Sequence, residues 1–158
     1  MMDILILIIT DAFWSALAAM GFALLFNVPR RALIYCMIAG AIGHAIRSLL
    51  MSQFALSIEL STLVGATAVG FFAKWCAYRL RMPSMIFAVS AVIPMIPGVF
   101  AYQTMIGILQ ITDVSNAGAG DILVQSSVNA IKAGLILAAL AGGIVAPSLI
   151  FRRNKPVV

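Results

Sequence analysis

Charged residues are few in this chain, and their grouping leaves long apolar runs, of which the longest, Met82 to Thr112, contains no charge. Of the 158 residues, 63% are hydrophobic and 9% are charged, whereas a soluble domain usually contains about 25% charged residues. So few charges cannot solvate the surface of a globular domain of this length. The sequence therefore predicts an integral membrane protein and excludes a disordered chain, a disulfide scaffold and a nucleic-acid module.

The apolar runs divide into five helical spans. A hydrocarbon core about 30 Å thick requires about 20 helical residues, and charges and prolines mark where each run stops. The predicted spans are Ile4–Phe26, Ala32–Met51, Glu59–Tyr78, Ser84–Leu109 and Val124–Phe151. The second span contains His44 and Arg47, so four spans is the alternative. We expect an all-α polytopic transmembrane helix bundle, a single integral membrane domain over residues 1–158.

The charges also predict an orientation. Basic residues follow the first, third and fifth spans, whereas the opposite ends carry acids without flanking Lys or Arg. The basic residues are Arg30, Arg31, Arg79, Arg81, Arg152, Arg153 and Lys155, and the acids are Asp3, Asp11, Glu59, Asp113 and Asp121. Because basic loops stay in the cytoplasm, the C-terminus is expected there and the N-terminus on the periplasmic side.

Two side chains that can carry positive charge lie inside the second span. His44 and Arg47 are three residues apart and therefore share a helix face. An arginine at the centre of a membrane helix costs about 2.5–3.5 kcal/mol on insertion scales. Arg47 therefore snorkels to the outer interface, lines a substrate path together with His44, or binds a structural partner such as Glu59.

Lys132 is a further cation within a predicted span. Asn129 and Gln125 precede it by three and seven residues, so the three side chains share one face of the helix. They form a polar stripe along a water-filled path, or they lie at an outer helix end from which the lysine snorkels.

The sequence Ile93-Pro94-Met95-Ile96-Pro97-Gly98 interrupts the fourth span. Each proline lacks an N–H and crowds the carbonyl four residues back, so the helix is expected to break here. Non-helical backbone at membrane depth survives only inside protein or beside water, and broken helices form binding sites in transporters. A packing kink is the alternative. The expected site residues are Pro94, Pro97, Gly98, Tyr102 and Gln103.

Small residues at four-residue spacing predict close helix packing. The first such stripe is Ser15, Ala19 and Ala23, and the second is Gly134, Ala138, Gly142 and Ala146. The length of the second stripe predicts a helix partner, either within the chain or from another subunit.

The sequence contains no catalytic motif and no nucleotide-binding motif. One histidine cannot form a multi-histidine metal site, and two lone cysteines make no metal motif. Cys36 and Cys76 each lie in an apolar run and are predicted to be small buried side chains rather than a disulfide. The chain is therefore not expected to be an enzyme or to need a cofactor.

Four blocks of residues occur in order along nearly the whole chain. They are Gly21-Phe22-Ala23 with Phe26-Asn27-Val28-Pro29 and Arg31-Ala32-Leu33; Gly43-His44 with Arg47; Ile58-Glu59 with Ser61-Thr62; and Ala91 to Met95 with Pro97-Gly98 and Ala101-Tyr102. Together they resemble the threonine/serine exporter (ThrE) family, and within it the small YjjB-type subunit.

The resemblance implies a function as well as a fold. Fused family members join two membrane halves and export threonine and serine, whereas split members use a larger YjjP-type chain with a small YjjB-type chain and are associated with succinate export. This chain resembles the second half only, which implies a YjjP-like partner in a bacterial inner membrane. The cations His44, Arg47 and Lys132 favour a dicarboxylate, whereas Glu59 would supply the anion that threonine or serine requires.

Three hypotheses follow. The first is a subunit of a secondary exporter that moves a small carboxylate out of the cytoplasm, with an ion gradient as the driver and His44 as the proton carrier, since imidazole titrates near neutral pH. The second is a scaffold for the larger chain that transports nothing itself. The third is a homo-oligomeric channel that works alone.

Overall fold

Six α-helices make up the part of the chain that the computed structural model describes, residues 2–111 and 119–150. They are α1 (Met2–Leu25), α2 (Arg30–Phe54), α3 (Ile58–Leu80), α4 (Ser84–Val92), α5 (Gly98–Ile111) and α6 (Ala119–Ile150), with a 3-10 turn (Ile93–Met95) after α4. Four helices are long and apolar enough to cross a membrane, and the bent pair of α4 and α5 makes a fifth candidate span. The expected all-α bundle is confirmed. Asp113 and the tail from Phe151 onward lie outside the described residues.

Prolines and left-handed residues set the helix boundaries. Pro29 and Pro83 precede α2 and α4 with extended backbone, where a missing N–H costs no helical bond. Ala55 and Arg81 end α2 and α3 with φ angles of 47° and 53°, the left-handed conformation that commonly terminates helices. The turns that were predicted from prolines and charges therefore lie where the sequence places them.

The central helix of the bundle is α4, which touches α1, α2 and α3. Phe87 and Met95 are the largest fully buried side chains, and much of the remaining core is alanine. Small side chains bring backbones close together, so that a Cβ on Gly65 would lie 2.7 Å from the carbonyl oxygen of Gly43. The stripe on α1 is buried as predicted, and it consists of Ser15, Ala19 and Ala23.

The predicted stripe on α6 faces the bundle only in part. Gly134, Ala138 and Gly142 are exposed and Ala146 is half-buried, so the described helices of this chain leave most of the stripe uncovered. The buried residues of α6 instead alternate three and four apart, and they are Ser126, Asn129, Ala133, Ile136, Leu140, Gly143 and Pro147. Residues spaced four apart shift around the helix axis by about 40° at each step. Residues spaced alternately three and four apart stay on one face, which forms a single packing seam. A partner for the stripe from another subunit stays a prediction.

Along this seam, α6 packs against α3 with the two helices running parallel. Gly143 lies against Ala66, and Gly70 lies against Pro147, so the contacts advance in the same direction along both helices. Lys74 donates a hydrogen bond to the carbonyl oxygen of Pro147 at 3.0 Å. The glycines allow the two backbones to approach, and this contact fixes the height of α6 relative to α3.

Replacing Gly143 by alanine is expected to destabilise the bundle by about 1–3 kcal/mol, the usual cost of overpacking. The added Cβ would lie 2.6 Å from the Cβ of Ala66 and 2.9 Å from the backbone nitrogen of Thr67. The neighbouring Gly142→Ala is the matched control, because its Cβ would meet nothing within 4 Å. Thermal unfolding of the detergent-solubilised chain measures both, and equal midpoints for the two variants would refute this packing.

Candidate functional site

The helix break predicted at the two prolines is present. The 3-10 turn Ile93–Met95 follows α4, α5 begins at Gly98, and the axes of the two segments differ in direction by 52°. Pro94 and Pro97 have no N–H to donate, so the helical ladder cannot continue across them. The break leaves backbone carbonyl groups at its centre that need other donors.

Two side chains of α2 bind these carbonyl groups. The Nε2 atom of His44 lies 3.2 Å from the carbonyl oxygen of Pro94, and Nη1 of Arg47 donates to the carbonyl oxygen of Met95 at 3.1 Å. His44 and Arg47 reach the same turn because residues three apart share a helix face. The two contacts give partners to carbonyl groups at the break, and they hold two side chains that can carry positive charge beside it.

The structure bears on the three explanations of Arg47. Its guanidinium binds backbone at the break, so it does not snorkel to the interface. Glu59 lies in the first turn of α3 and does not line the cavity at the break; within residues 2–111 and 119–150 it forms no ion pair with Arg47. His44 and Arg47 therefore meet at the break, and their role in a substrate path stays a prediction.

Asp11 completes this cluster, although the sequence analysis treated it only as an acid near a helix end. Ser48 donates its hydroxyl to Oδ2 of Asp11 at 2.5 Å, joining α1 to α2. We call Asp11, His44, Arg47 and Ser48 the break cluster. Its side chains line a cavity of about 310 Å³, which also reaches Ser52.

The break cluster thus places an anion, a guanidinium and an imidazole around one cavity. The sequence indicates this cluster only through spacing on α2, where Ser48 is one turn beyond His44 and next to Arg47. Asp11 is the group that sequence reasoning missed, because its approach to α2 depends on how two helices pack. Chemically, such a cavity can bind a carboxylate through Arg47 and an ammonium group or a proton through Asp11.

A second cavity, of about 370 Å³, lies between α5 and α6. Tyr102 and Gln103 of α5 face it from one side, and Gln125, Ser126 and Asn129 of α6 face it from the other. Tyr102 and Gln103 were expected to face the cavity at the break, together with Pro94 and Pro97, but they line this separate cavity with residues of α6. We call it the hairpin cavity, and its lining side chains carry amides and hydroxyls.

Lys132 lies outside both cavities. It is exposed, and its Nζ atom stands 5.7 Å from the centre of the Phe100 ring, within the range of a cation–π interaction. The two cavities share no lining residue. The predicted site residues therefore separate into a group at the break and a group at the hairpin cavity, and Glu59 and Lys132 line neither cavity.

Gly98 has a different role from the one its position suggested. It begins α5, and a Cβ there would meet nothing within 4 Å, so close contact does not require glycine. Among the described residues, no three His, Cys, Asp or Glu side chains are grouped as a metal site. Cys36 and Cys76 are buried and form no disulfide, as predicted.

Replacing both prolines at the break, Pro94→Ala with Pro97→Ala, is expected to lower transport at least about tenfold, which corresponds to about 1.4 kcal/mol. The variant regains the N–H groups that bond to the carbonyl oxygens of Ser90 and Ile93, so the helix can continue through this segment. In a continuous helix the N–H groups of Gly98 and Val99 would compete with His44 and Arg47 for the carbonyl oxygens of Pro94 and Met95. Pro83→Ala, at the start of α4, is the control. Uptake into membrane vesicles is the measurement, with protein abundance checked, and normal uptake by the double variant would reduce the break to a packing kink.

Comparison with known proteins assigns the sequence of this chain to a family. The sequence model of the family described as "Threonine/Serine exporter, ThrE" matches residues 11–150. A protein of Haemophilus influenzae (strain Rd) that carries the name "Uncharacterized protein" is 40% identical over 149 residues, which cover 94% of this chain and 49% of the relative. The chain thus spans about half the length of that curated relative. No solved structure matches the chain.

The family match covers the four residues of the break cluster and both halves of the broken span. It also agrees with the resemblance drawn from the four sequence blocks. The chain belongs to the threonine/serine exporter (ThrE) family, a family of membrane transporters.

Proposed function

We propose that the chain is one membrane subunit of a secondary exporter, which moves a small carboxylate out of the cytoplasm together with a larger, YjjP-like membrane chain. The observation that carries this proposal is the position of Arg47. Its guanidinium is held on the carbonyl of a broken helix and faces a cavity that also contains Asp11. Charged residues inside membrane helices usually mark a substrate or ion path.

Arg47 is the proposed carboxylate ligand. A guanidinium has five N–H donors, and the hydrogen bond to the Met95 carbonyl uses one of them. The others can hold a carboxylate through paired, charge-assisted hydrogen bonds. The bond to the break fixes the side chain, so that substrate binding and the conformation of α5 are linked.

Asp11 favours a zwitterionic amino acid as the substrate, in agreement with the family description. Threonine or serine would place its carboxylate on Arg47 and its ammonium group on Asp11, with Ser48 next to both. Succinate is the second candidate, since His44 and Arg47 could each take one carboxylate. The initial preference for a dicarboxylate also counted Lys132, which does not reach this cavity.

The same carboxylate offers a mechanism of coupling. If protons and the substrate's ammonium group compete for Asp11, an inward proton replaces each outgoing amino acid. His44 was the first candidate for this role, but its ring nitrogen lies on the Pro94 carbonyl. We propose Asp11 as the proton carrier and His44 as a group that holds the break.

The orientation proposed from the charges puts this cluster in the periplasmic half of a bacterial inner membrane. Arg30 and Arg79 lie at one end of the bundle, at the start of α2 and the end of α3. The positive-inside rule assigns that end to the cytoplasm. Ser52, near the opposite end of α2, would then mark the periplasmic mouth of the break cavity.

Uptake of labelled threonine, serine and succinate into inverted membrane vesicles with a proton gradient tests the proposal. Three preparations are compared: this chain alone, the YjjP-like chain alone, and both together. Uptake that requires both chains supports the two-part exporter, and the preferred label identifies the substrate class. Uptake by this chain alone would make it a self-sufficient carrier or channel. If the YjjP-like chain takes up label by itself and this chain does not change the rate, this chain would be a scaffold.

A further inference from the structure

The first half of α6 extends well past the other helices of the bundle. Gly143, which packs against Ala66, is 24 residues beyond Ala119 at the start of α6, whereas Ala66 is 8 residues beyond Ile58 at the start of α3. Because the two helices run parallel, the 16 extra residues carry α6 about 24 Å past the start of α3, at about 1.5 Å per residue.

α5 accompanies this extension as an antiparallel partner. Phe100 is the point at which α5 leaves the core, and Lys132 lies over its ring. Further along, Thr104 donates to the carbonyl oxygen of Ser126, and Gly107 lies against the Ser126 side chain. We call residues 101–111 and 119–132 the outer hairpin.

Lipid does not account for the surface of the outer hairpin. α1, α2 and α3 have 24, 25 and 23 residues, and about 20 already cross the hydrocarbon core. With the start of α3 taken as the edge of that core and α6 continuing along the axis of α3, the hairpin stands outside it. Its surface is nevertheless apolar, with eight large side chains between 41% and 67% exposed. They are Tyr102, Met105, Ile108, Leu109, Leu123, Val124, Val128 and Ile131.

The hairpin cavity adds an unfilled polar position within this apolar surface. Asn129 is 5% exposed, yet its side-chain amide forms no hydrogen bond with any residue that the structure describes. Buried polar groups normally have partners. Since the amide faces a cavity of about 370 Å³ that also has Gln103 and Gln125 on its walls, a side chain from outside the chain can enter and bind it.

Large exposed apolar patches mark protein interfaces. The Haemophilus relative indicates which protein would cover this patch. The chain aligns with 49% of the Haemophilus protein. The rest of that polypeptide is about as long again and is covalently joined to the matched half. We propose that the outer hairpin is the docking surface for the other half of the exporter, with a polar side chain of that half bound in the hairpin cavity. The partner's identity rests on the proposed function, whereas the surface follows from the fold.

Site-directed photo-cross-linking in native membranes tests this inference. A benzophenone amino acid replaces Met105 or Val128 in the full chain, and Ile38, an exposed position of α2 within the bilayer, is the control. We expect adducts from both hairpin positions whose sequence matches the unaligned half of the Haemophilus relative, and none from Ile38. Adducts between two copies of this chain, or no protein adduct at either position, would overturn the proposal.

A second variant protects the test against local effects of the probe. Val128→Arg places a charge on the hairpin surface. It should reduce the amount of co-purified partner at least about tenfold, which is the effect expected from losing a few interhelical contacts. The thermal midpoint of the chain itself should stay unchanged. Undiminished co-purification would also overturn the interface. Cross-linking to the partner without vesicle transport would reject the proposed function alone, and transport without cross-linking would reject the interface alone.

Discussion

Replacing Arg47 by glutamine is expected to lower the initial rate of export by about 10- to 100-fold. A hydrogen bond to a charged group contributes about 1.5–3 kcal/mol, and the variant loses the proposed carboxylate ligand. Glutamine still has an N–H with which to bind the Met95 carbonyl, so the break can persist. Uptake of labelled threonine and succinate into inverted vesicles that contain both chains measures the effect.

Arg31→Gln is the matched control for this prediction. Arg31 lies in the first turn of α2 and is exposed at the basic end of the bundle, so that its loss removes the same charge far from the break. We expect a rate close to that of the unmodified protein. If Arg47→Gln transported as fast as Arg31→Gln, Arg47 would be a structural ligand of the broken helix only.

Replacing Asp11 by asparagine is expected to uncouple transport from the proton gradient. Asparagine keeps an oxygen that accepts the Ser48 hydroxyl, but it can neither bind a proton nor attract an ammonium group. Gradient-driven accumulation should therefore fall to simple equilibration of the label. The measurement is the steady-state ratio of internal to external threonine, with and without a protonophore.

Two controls accompany the Asp11 variant. Glu59→Gln removes an acid from the first turn of α3, outside both cavities, and should leave accumulation intact. His44→Gln should also retain coupling, because the proposed role of His44 is to hold the Pro94 carbonyl. If His44→Gln lost coupling and Asp11→Asn kept it, His44 would be the proton carrier and the assignment to Asp11 would be refuted.

Much of the fold was predictable because the boundaries are local in sequence. Proline, basic turns and the length needed to cross a bilayer placed the ends of α1 to α5 within a few residues. The largest error was at α6, which begins at Ala119 rather than Val124. Asp121 was interpreted as a loop residue, but a carboxylate in the first turn of a helix interacts favourably with the N-terminal dipole.

The candidate site was predictable only where it depends on one helix. Spacing placed His44 and Arg47 on one face, and the prolines placed the break. Their meeting depends on contacts between residues 48 and 50 positions apart, which no local pattern encodes. The position of Asp11 likewise depends on the register of α1 against α2, which is fixed where Ala19 approaches Gly40.

The same limit explains the stripe on α6. Residues four apart were sufficient to identify buried small side chains on α1, where the stripe is short. Over four members the stripe rotates away from its own seam, so Gly134 and Gly142 face outward. Which face of a long membrane helix is buried depends on the neighbour it meets, and that is tertiary information.

The most direct test of the break cavity as the substrate site is thiol accessibility at its mouth. Ser52→Cys lines the cavity and is exposed, Gln53→Cys is an exposed neighbour that does not line it, and the native Cys36 and Cys76 are buried. Both introduced thiols are labelled with a water-soluble methanethiosulfonate in right-side-out vesicles that contain both chains, because the proposed mouth faces the periplasm. Labelling is measured with and without threonine or succinate. We predict that one of these substrates slows labelling of Ser52→Cys and leaves Gln53→Cys unchanged. Equal labelling rates at Ser52→Cys in the presence and absence of both substrates would contradict the account.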